Sequence, residues 1–266
     1  MSNLTAVLLG ATGGIGQEIS TILAKNGFNL ILIGRNIKAL QQLKQQITQQ
    51  NVQIQVNCLD CDLSDEQSRK HLIHDLAALE IPLHYYINNA GINDFSLFSE
   101  QSPDMIAQMM QINVIYPLQL LQGIIPLMSK TQPTQIIQIG STFGSIGYPG
   151  YASYCASKFA LRGAIEALGR EYANTKIKFR YFSPRATKTS MNNQKIMQMN
   201  AQLGTKMDDP YFVAQEFIHF LKKDCQFYQV GYPEKIFVKI NQLIPNLVSS
   251  SIYKDLDIIY KNAQHN

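Results

Sequence analysis

Short apolar runs alternate with longer stretches of helical spacing along most of the chain. Strand-like runs fall near 4–9, 28–33, 52–57, 84–88, 134–140 and 177–182, and helix-length segments near 14–26, 36–50, 65–79, 103–129 and 153–173. This alternation predicts βαβ units, because parallel neighbours can be joined only by a crossover long enough to hold a helix. The run Leu30-Ile31-Leu32-Ile33 is apolar without interruption, the pattern of a strand covered on both faces. The expectation is an α/β fold, a doubly wound parallel sheet in a single domain, with no repeat or linker dividing it.

Two segments break the regularity. Residues 187–209 are rich in Met, Asn and Gln and close on Asp208-Asp209-Pro210, a helix-start signal. After a short strand-like run from Phe227 to Val230, the tail from Pro233 reads as two amphipathic helical pieces broken near Pro245 and Ser249-Ser250-Ser251. The expected division is therefore a body over 1–232 and a C-terminal helical extension of the same domain over 233–266. In that extension Ile236, Phe237, Ile240, Leu243, Ile244, Leu247 and Val248 recur at helical spacing, and Ile252, Leu256, Ile259 and Tyr260 continue a second stripe. The stripe needs a covering surface: the substrate cleft, a neighbouring subunit, or a bilayer interface with Lys235 and Lys239 toward the headgroups.

Composition narrows the classes. Hydrophobic residues at 45% and charged ones at 16% exclude a disordered or coiled-coil chain. The net charge of +4 is scattered, so no nucleic-acid partner is expected. The N-terminus passes directly into Ala6-Val7-Leu8-Leu9 without a basic leader, and no stretch reaches the ~18 apolar residues of a membrane span. A cytoplasmic location is expected, with peripheral membrane contact left to the tail. Of the four cysteines, Cys58 and Cys61 form an isolated C-x-x-C, read as free buried or half-buried thiols rather than a metal site.

Candidate chemistry lies at two places. The first strand runs into Gly10-Ala11-Thr12-Gly13-Gly14-Ile15-Gly16 and then a helix, the arrangement of a phosphate cradle at a helix N-terminus. At the end of the second strand stand Arg35 and Asn36, where a carboxylate would hold the ribose of NAD. A guanidinium there favours a 2′-phosphate, so NADP(H) is expected over NAD(H); alternatively Arg35 only stacks on the adenine. Asp62 and Leu63 could flank the adenine, or form a helix-capping turn with Ser64 and Asp65. The second place is Tyr154-Cys155-Ala156-Ser157-Lys158. Residues four apart share a helix face, and an ammonium beside a phenol lowers a pKa that starts near 10.

Together these features resemble the classical short-chain dehydrogenase/reductase family over nearly the whole chain. The resemblance rests on Gly10, Gly14 and Gly16, on Asn88-Asn89-Ala90-Gly91, on Asn113, and on Ser141 thirteen residues before Tyr154-x-x-x-Lys158. It implies a Rossmann-type fold and hydride transfer between a nicotinamide and an alcohol or carbonyl carbon of a small molecule. Tyr154 would give the proton to the carbonyl oxygen. Lys158 would bind the nicotinamide ribose and depress the Tyr154 pKa. Ser141 would orient the substrate, and the Asn113 backbone would hold a water linking Lys158 to solvent. Asn89, Ala90 and Gly91 would touch the nicotinamide ribose, with Pro184, Thr187 and Thr189 near the carboxamide. The family commonly forms dimers or tetramers, and Ala156, Ala160, Gly163, Ala164 and Ala167 offer a small-residue stripe for that, unless the stripe packs on its own sheet. Two positions depart from the family pattern: Leu9 stands for a threonine, and Arg185 for a glycine. Arg185 implies either an altered backbone or a positive group beside the site.

The leading functional expectation is a reductase of a fairly large, apolar ketone or aldehyde. Met191, Met197 and Met199 would form a lid and Phe143, Tyr148 and Phe95 the cleft walls, the methionines serving equally well as ordinary packing residues. The alternatives are a non-catalytic NADP(H) sensor, a membrane-associated reductase of a lipid-like substrate, and a related epimerase or dehydratase.

Overall fold

In the computed structural model, residues 4–50 and 53–264 are described. The first half carries β1 (Thr5–Leu9), α1 (Gly14–Lys25), β2 (Asn29–Gly34), α2 (Ile37–Gln50), β3 (Val56–Asp60), α3 (Glu66–Ala78), β4 (Tyr85–Asn88), α4 (Pro103–Met110) and α5 (Tyr116–Ile124). The second half carries β5 (Thr134–Ile139), α6 (Ala152–Glu171), β6 (Ile177–Ser183), α7 (Gln194–Gln202), α8 (Pro210–Leu221), β7 (Phe227–Gln229), α9 (Glu234–Leu243), α10 (Pro245–Ile252) and α11 (Leu256–Ala263). The strands form one sheet in the order β3-β2-β1-β4-β5-β6-β7, and every pairing is parallel. The order reverses between β1 and β4, where a crevice opens beyond the carboxyl ends of the strands.

Strand alternation divides the core into two layers. Ala6 and Leu8 of β1, with Leu30 and Leu32 of β2, pack against Ile19 and Leu23 of α1 and Val213 and Phe217 of α8. Val7, Leu9, Ile31 and Ile33 point the other way, toward Leu72 of α3, Leu121 of α5, and Leu161 and Ile165 of α6. Burying each such side chain stabilises the fold by roughly 1.5–3 kcal/mol. Helix starts follow their caps: Asp65 accepts from the amides of Gln67 and Ser68 ahead of α3, Ser102 from Met105 ahead of α4, and Asp209 from Tyr211 ahead of α8.

The structure departs from the sequence expectations at three places. The third strand lies at Val56–Asp60 rather than 52–57, fixed by pairing Leu30 with Val56 and Gly34 with Asp60; residues 51 and 52 lie outside the described ones. The helix expected over 103–129 is interrupted by one wider π turn, Gln111–Ile115, in which Tyr116 donates to the Gln111 carbonyl five residues back. Pro117 follows directly and has no N–H, so the helical bond that would satisfy the Asn113 carbonyl cannot form. In the tail the break at Pro245 is present, but Ser249-Ser250-Ser251 lie inside α10, and the second break falls at Tyr253–Asp255. Ser250 there returns its hydroxyl to the Asn246 carbonyl, 2.9 Å away, so its side chain is satisfied within the helix.

The tail folds back over the carboxyl end of the sheet. Val238 and Val248 close on Ile146, and Ile259 and Ala263 join Phe95, Met109, Ile196 and Met199. Asn241 donates to the Ser145 carbonyl at 2.9 Å and Asn262 to the Gln202 side chain at 2.8 Å. Its opposite face stays open, with Leu243 82% exposed. On α6, Ala156, Gly163 and Ala167 face outward rather than into the sheet, and a Cβ on Gly163 would meet nothing within 4 Å. No helix among the described residues is long and apolar enough to cross a membrane.

Candidate active site

The turn after β1 is shaped by close approach. Gly10 has φ +77° and lies against the backbone of Asn89 and Ala90, and a Cβ on Gly16 would fall 2.3 Å from the Gly10 carbonyl oxygen. The Asn89 amide ties the turn to β4 by donating to that same oxygen at 3.0 Å. Gly13, at the N-cap of α1, brings no side chain to the helix end, so the first-turn N–H groups are left for a ligand. Such a cradle fits a pyrophosphate, and any side chain at Gly16 would collide with the turn that shapes it. Thr12 sits over Gly34 at the mouth of β2, where a Cβ would be 3.4 Å from its hydroxyl.

Beyond β2, Arg35 is exposed, whereas the Asn36 side chain is committed to the Ala39 amide at 3.1 Å. The Asp62 carboxylate accepts from the amide and hydroxyl of Ser64, at 2.9 and 2.7 Å. Those bonds, and more weakly the Arg35 guanidinium, hold its pKa below the usual range. Asp62 is thus the acceptor of a local turn, and Leu63 beside it is buried. The Arg35 end and the Tyr154 end of the crevice lie on opposite sides of the glycine turn.

At the other end α6 presents Tyr154 and Lys158 on one face, both buried, with the Lys158 Nζ 5.6 Å from the centre of the Tyr154 ring. The ammonium reaches the Ile139 carbonyl at 3.4 Å. Gly91 covers it, since a Cβ there would stand 3.5 Å from Nζ. Asn113 lies behind, its amide group bonded to the Ile92 carbonyl at 2.9 Å and Ser157 at 3.0 Å, and its oxygen to the Ile92 amide at 2.8 Å. Its side chain is therefore used up holding α5, α6 and the segment after β4 together. Ser141 stands at the end of β5, its hydroxyl accepting from the Phe143 amide at 3.1 Å.

One residue that organises this corner carries no sequence signal. Tyr181 of β6 donates to the Lys158 carbonyl at 3.1 Å, and its ring occupies the space above Gly140 and Gly144, where a Cβ would approach to 2.0 and 2.3 Å. In a strand pattern Tyr181 reads as one more core residue; only two glycines flanking Ser141 hint that something large lies against that loop.

The electrostatics differ from the expectation that Lys158 depresses Tyr154. Burial pushes the phenol up to about 12, with Ser141 pulling weakly the other way. Burial also brings the lysine down to about 8. Loss of hydration dominates because both groups are buried and no direct hydrogen bond joins them.

Tyr154 and Ser141 open onto a cleft of about 650 Å³, bordered also by Ile15, Pro184, Thr187, Thr189 and Met191. Phe143, Tyr148 and Tyr151 form one wall, and Phe237, Val248 and Ile252 of the tail form the opposite one. Met199 borders the cleft, but Met197 is exposed away from it, and Phe95 is buried behind Tyr151, stacked at 4.9 Å. The tail's inner face thus covers the cleft. Arg185 borders the same cleft, but its guanidinium is engaged elsewhere. Its guanidinium binds Asp208 through two bonds of 2.7 and 2.8 Å, Glu234 at 3.0 Å and the Tyr232 carbonyl at 2.8 Å, anchoring α9 to the segment after β6. Where sequence reading left either an altered backbone or a nearby positive charge, the charge is matched by two carboxylates.

The chain matches the model of the short chain dehydrogenase family over residues 4–200. It is 31% identical over 194 residues to a 3-oxoacyl-[acyl-carrier-protein] reductase of Rickettsia conorii, covering 73% of this chain and 77% of that protein. It is 28% identical over 232 residues to dehydrogenase/reductase SDR family member 7B of Bos taurus, covering 83% and 71%. Among solved structures, a short chain dehydrogenase/reductase of Burkholderia phymatum in complex with NAD superposes with TM-score 0.80 at 19% identity, over 92% of this chain and 95% of that one. A short chain dehydrogenase of Shigella flexneri complexed with NADP gives 0.76 at 24% identity, over 86% and 97%. These two share the fold, and they hold different dinucleotides. The chain belongs to the short-chain dehydrogenase family.

The lowered Lys158 pKa has a consequence for stability. The folded value, about 8, lies below the ordinary 10.5 of the unfolded chain, so the charged form opposes folding. That penalty is complete below pH about 8 and fades as the pH climbs toward 10.5. Lys158→Met is expected to be more stable than wild type at pH 7 by about 3 kcal/mol, the gap closing in alkali. Urea unfolding of both proteins across this range measures it, and equal stability at pH 7 would contradict the assignment.

Proposed function

We propose that this short-chain dehydrogenase is an NADP(H)-dependent reductase of a fairly large, apolar ketone or aldehyde. The observation that carries the reading is the convergence of Tyr154, Ser141 and an uncapped helix N-terminus on one deep cleft with mainly apolar walls. The turn from Gly10 to Gly16 would hold the pyrophosphate, with Asn89, Ala90, Gly91, Pro184, Thr187 and Thr189 along the nicotinamide half. When bound, the nicotinamide supplies the hydride. Tyr154, kept protonated by burial, delivers its phenolic proton to the carbonyl oxygen, and Ser141 hydrogen-bonds that oxygen and fixes its orientation. Lys158 binds the ribose hydroxyls next to Tyr154. The Asn113 carbonyl, which Pro117 cannot satisfy, is the acceptor for a water that reconnects Lys158 with solvent.

Tyr154→Phe is expected to lower carbonyl reduction by ~10²–10⁴-fold while NADPH binding is retained. Stopped-flow or steady-state consumption of NADPH over a panel of ketones and aldehydes reads the first, and calorimetry the second. Near-normal turnover in the variant would remove Tyr154 from the chemistry.

The choice of NADP(H) rests on Arg35, exposed at the end of β2 with no acidic residue before it on that turn. Arg35→Asp removes the partner of a 2′-phosphate and offers an acceptor to a ribose hydroxyl, so the preference should pass to NAD. Wild-type protein that binds both dinucleotides equally tightly would refute this.

A second reading concerns the tail's outer face. Ile236, Leu243, Ile244 and Leu247 stand in water at 51–82% exposure, and Lys239 is exposed beside them. This supports peripheral contact with an anionic membrane from which an apolar substrate enters. The double variant Leu243→Asp, Leu247→Asp should lose co-sedimentation with anionic vesicles that the wild type shows. Wild-type protein that stays in the supernatant would end the membrane reading.

A further inference from the structure

Arg185 meets the tail at the point where the segment carrying α7 leaves the sheet. That segment runs from Thr187 to Asp208, and its two ends are paired. The Asp208 amide donates to the Ala186 carbonyl at 2.8 Å, and the Lys188 amide to the Asp208 carbonyl at 2.9 Å. Arg185 itself follows Pro184, whose carbonyl accepts from the Thr142 amide at 3.0 Å. Arg185 and Asp208 are thus both placed by their backbones.

The guanidinium divides its donors between two structures. Its Nε and one terminal nitrogen face the two oxygens of Asp208, a carboxylate whose side chain is 3% exposed. A planar fork bound along one edge has its orientation fixed. The other terminal nitrogen therefore has one bearing, and it meets the tail: the Tyr232 carbonyl at 2.8 Å and Glu234 at 3.0 Å. Gly231 completes the fit. It has φ +77°, and a Cβ there would stand 2.8 Å from the guanidinium carbon, so the chain bends around the arginine where glycine alone is free of strain.

The tail wall starts at this junction. α9 and α10 bring Phe237, Val248 and Ile252 to the cleft. The apolar cluster beneath them has three buried members, Ile146, Val238 and Val248, while Leu243, Ile244 and Leu247 on the far side stay exposed. Such contacts are non-directional, whereas a charge-assisted fork fixes distance and angle together. Asn241 holds the C-terminal half of α9 through the Ser145 carbonyl. Arg185 holds its N-terminal end.

We propose that Arg185 is a specificity-determining positioning residue: it sets how far the tail wall stands from the aromatic wall beside Tyr154, and so which size of apolar carbonyl compound the cleft prefers. The proposal rests on the reductase reading for the carbonyl, but the position of the wall can be read without turnover. Alcohols do not react with a reduced dinucleotide. Butanol and decanol can therefore be titrated into the protein loaded with reduced dinucleotide and followed by nicotinamide fluorescence. Wild type should bind decanol more tightly than butanol. In Glu234→Ala, decanol should weaken about tenfold, the loss of roughly two buried methylene contacts, while butanol and dinucleotide binding stay as in wild type. Arg185→Lys keeps a cation beside Asp208 but loses the fork, and it should act in the same way. Adding Glu234→Ala to it should change nothing further. Glu234→Gln retains an acceptor and should restore the wild-type preference.

Equal weakening of both alcohols in Glu234→Ala would mean a general loosening and overturns the proposal, as does unchanged decanol binding. Decanol bound as weakly by Glu234→Gln as by Glu234→Ala also overturns it, because charge rather than the anchor would then be at work. With turnover, Glu234→Ala should raise KM for a ten-carbon ketone about tenfold and leave kcat unchanged; a fall in kcat at constant KM counts against the assignment. If no ketone of any kind is reduced, the reductase reading fails while the alcohol titration still decides the role of Arg185.

Discussion

Much of this molecule is arranged around one buried ammonium. Lys158 is 5% exposed and has a single carbonyl within reach, so the surroundings must give it room while shielding it from bulk solvent. Gly91 keeps a Cβ out of its way, and Asn113 is pinned to Ile92 and Ser157 to close the far side. Tyr181 holds its carbonyl from the sheet. None of these contacts repays the loss of hydration, which burial imposes on phenol and lysine alike. The site is affordable because the two apolar layers on either side of the sheet are complete without it.

The same constraint explains the π turn. An ordinary helix through residues 103–127 would give the Asn113 side chain a different bearing. The wider turn directs the Asn113 side chain toward α6, and the proline that follows denies its carbonyl the ordinary helical donor. The local cost of a widened turn is met by the bonds between Asn113 and the segment after β4.

Legibility in the sequence follows the range of the interaction. Strand alternation, the glycine turn and the four-residue spacing of Tyr154 and Lys158 are local, and each is realised where the pattern puts it. The π turn was invisible because the apolar rhythm of Met109, Val114, Leu120 and Leu121 passes through it with only a slight change of phase. The position of β3 depends on its pairing with β2, and only Val56 of its five residues is buried deeply enough to declare itself. Tyr181 and the bearing of Arg185 depend on partners 23 to 49 positions away, and nothing in their own neighbourhoods marks them. Phe95 shows the reverse error: an aromatic near the site was read as a wall, yet the ring of Tyr151 stands in front of it.

The way the tail is fastened has an evolutionary reading. Its polar anchors include Glu234 on Arg185, Asn241 on Ser145, and Asn262 on Gln202, and each of these three grips a loop or a covering helix rather than a strand. The segment therefore supplies one wall of the cleft while the proton-handling corner and the glycine turn are built entirely from residues before it. Such a wall is an exchangeable part: a lineage can trade one tail for another and redraw its range of substrates in a single event, leaving the reactive machinery in the state in which it was inherited.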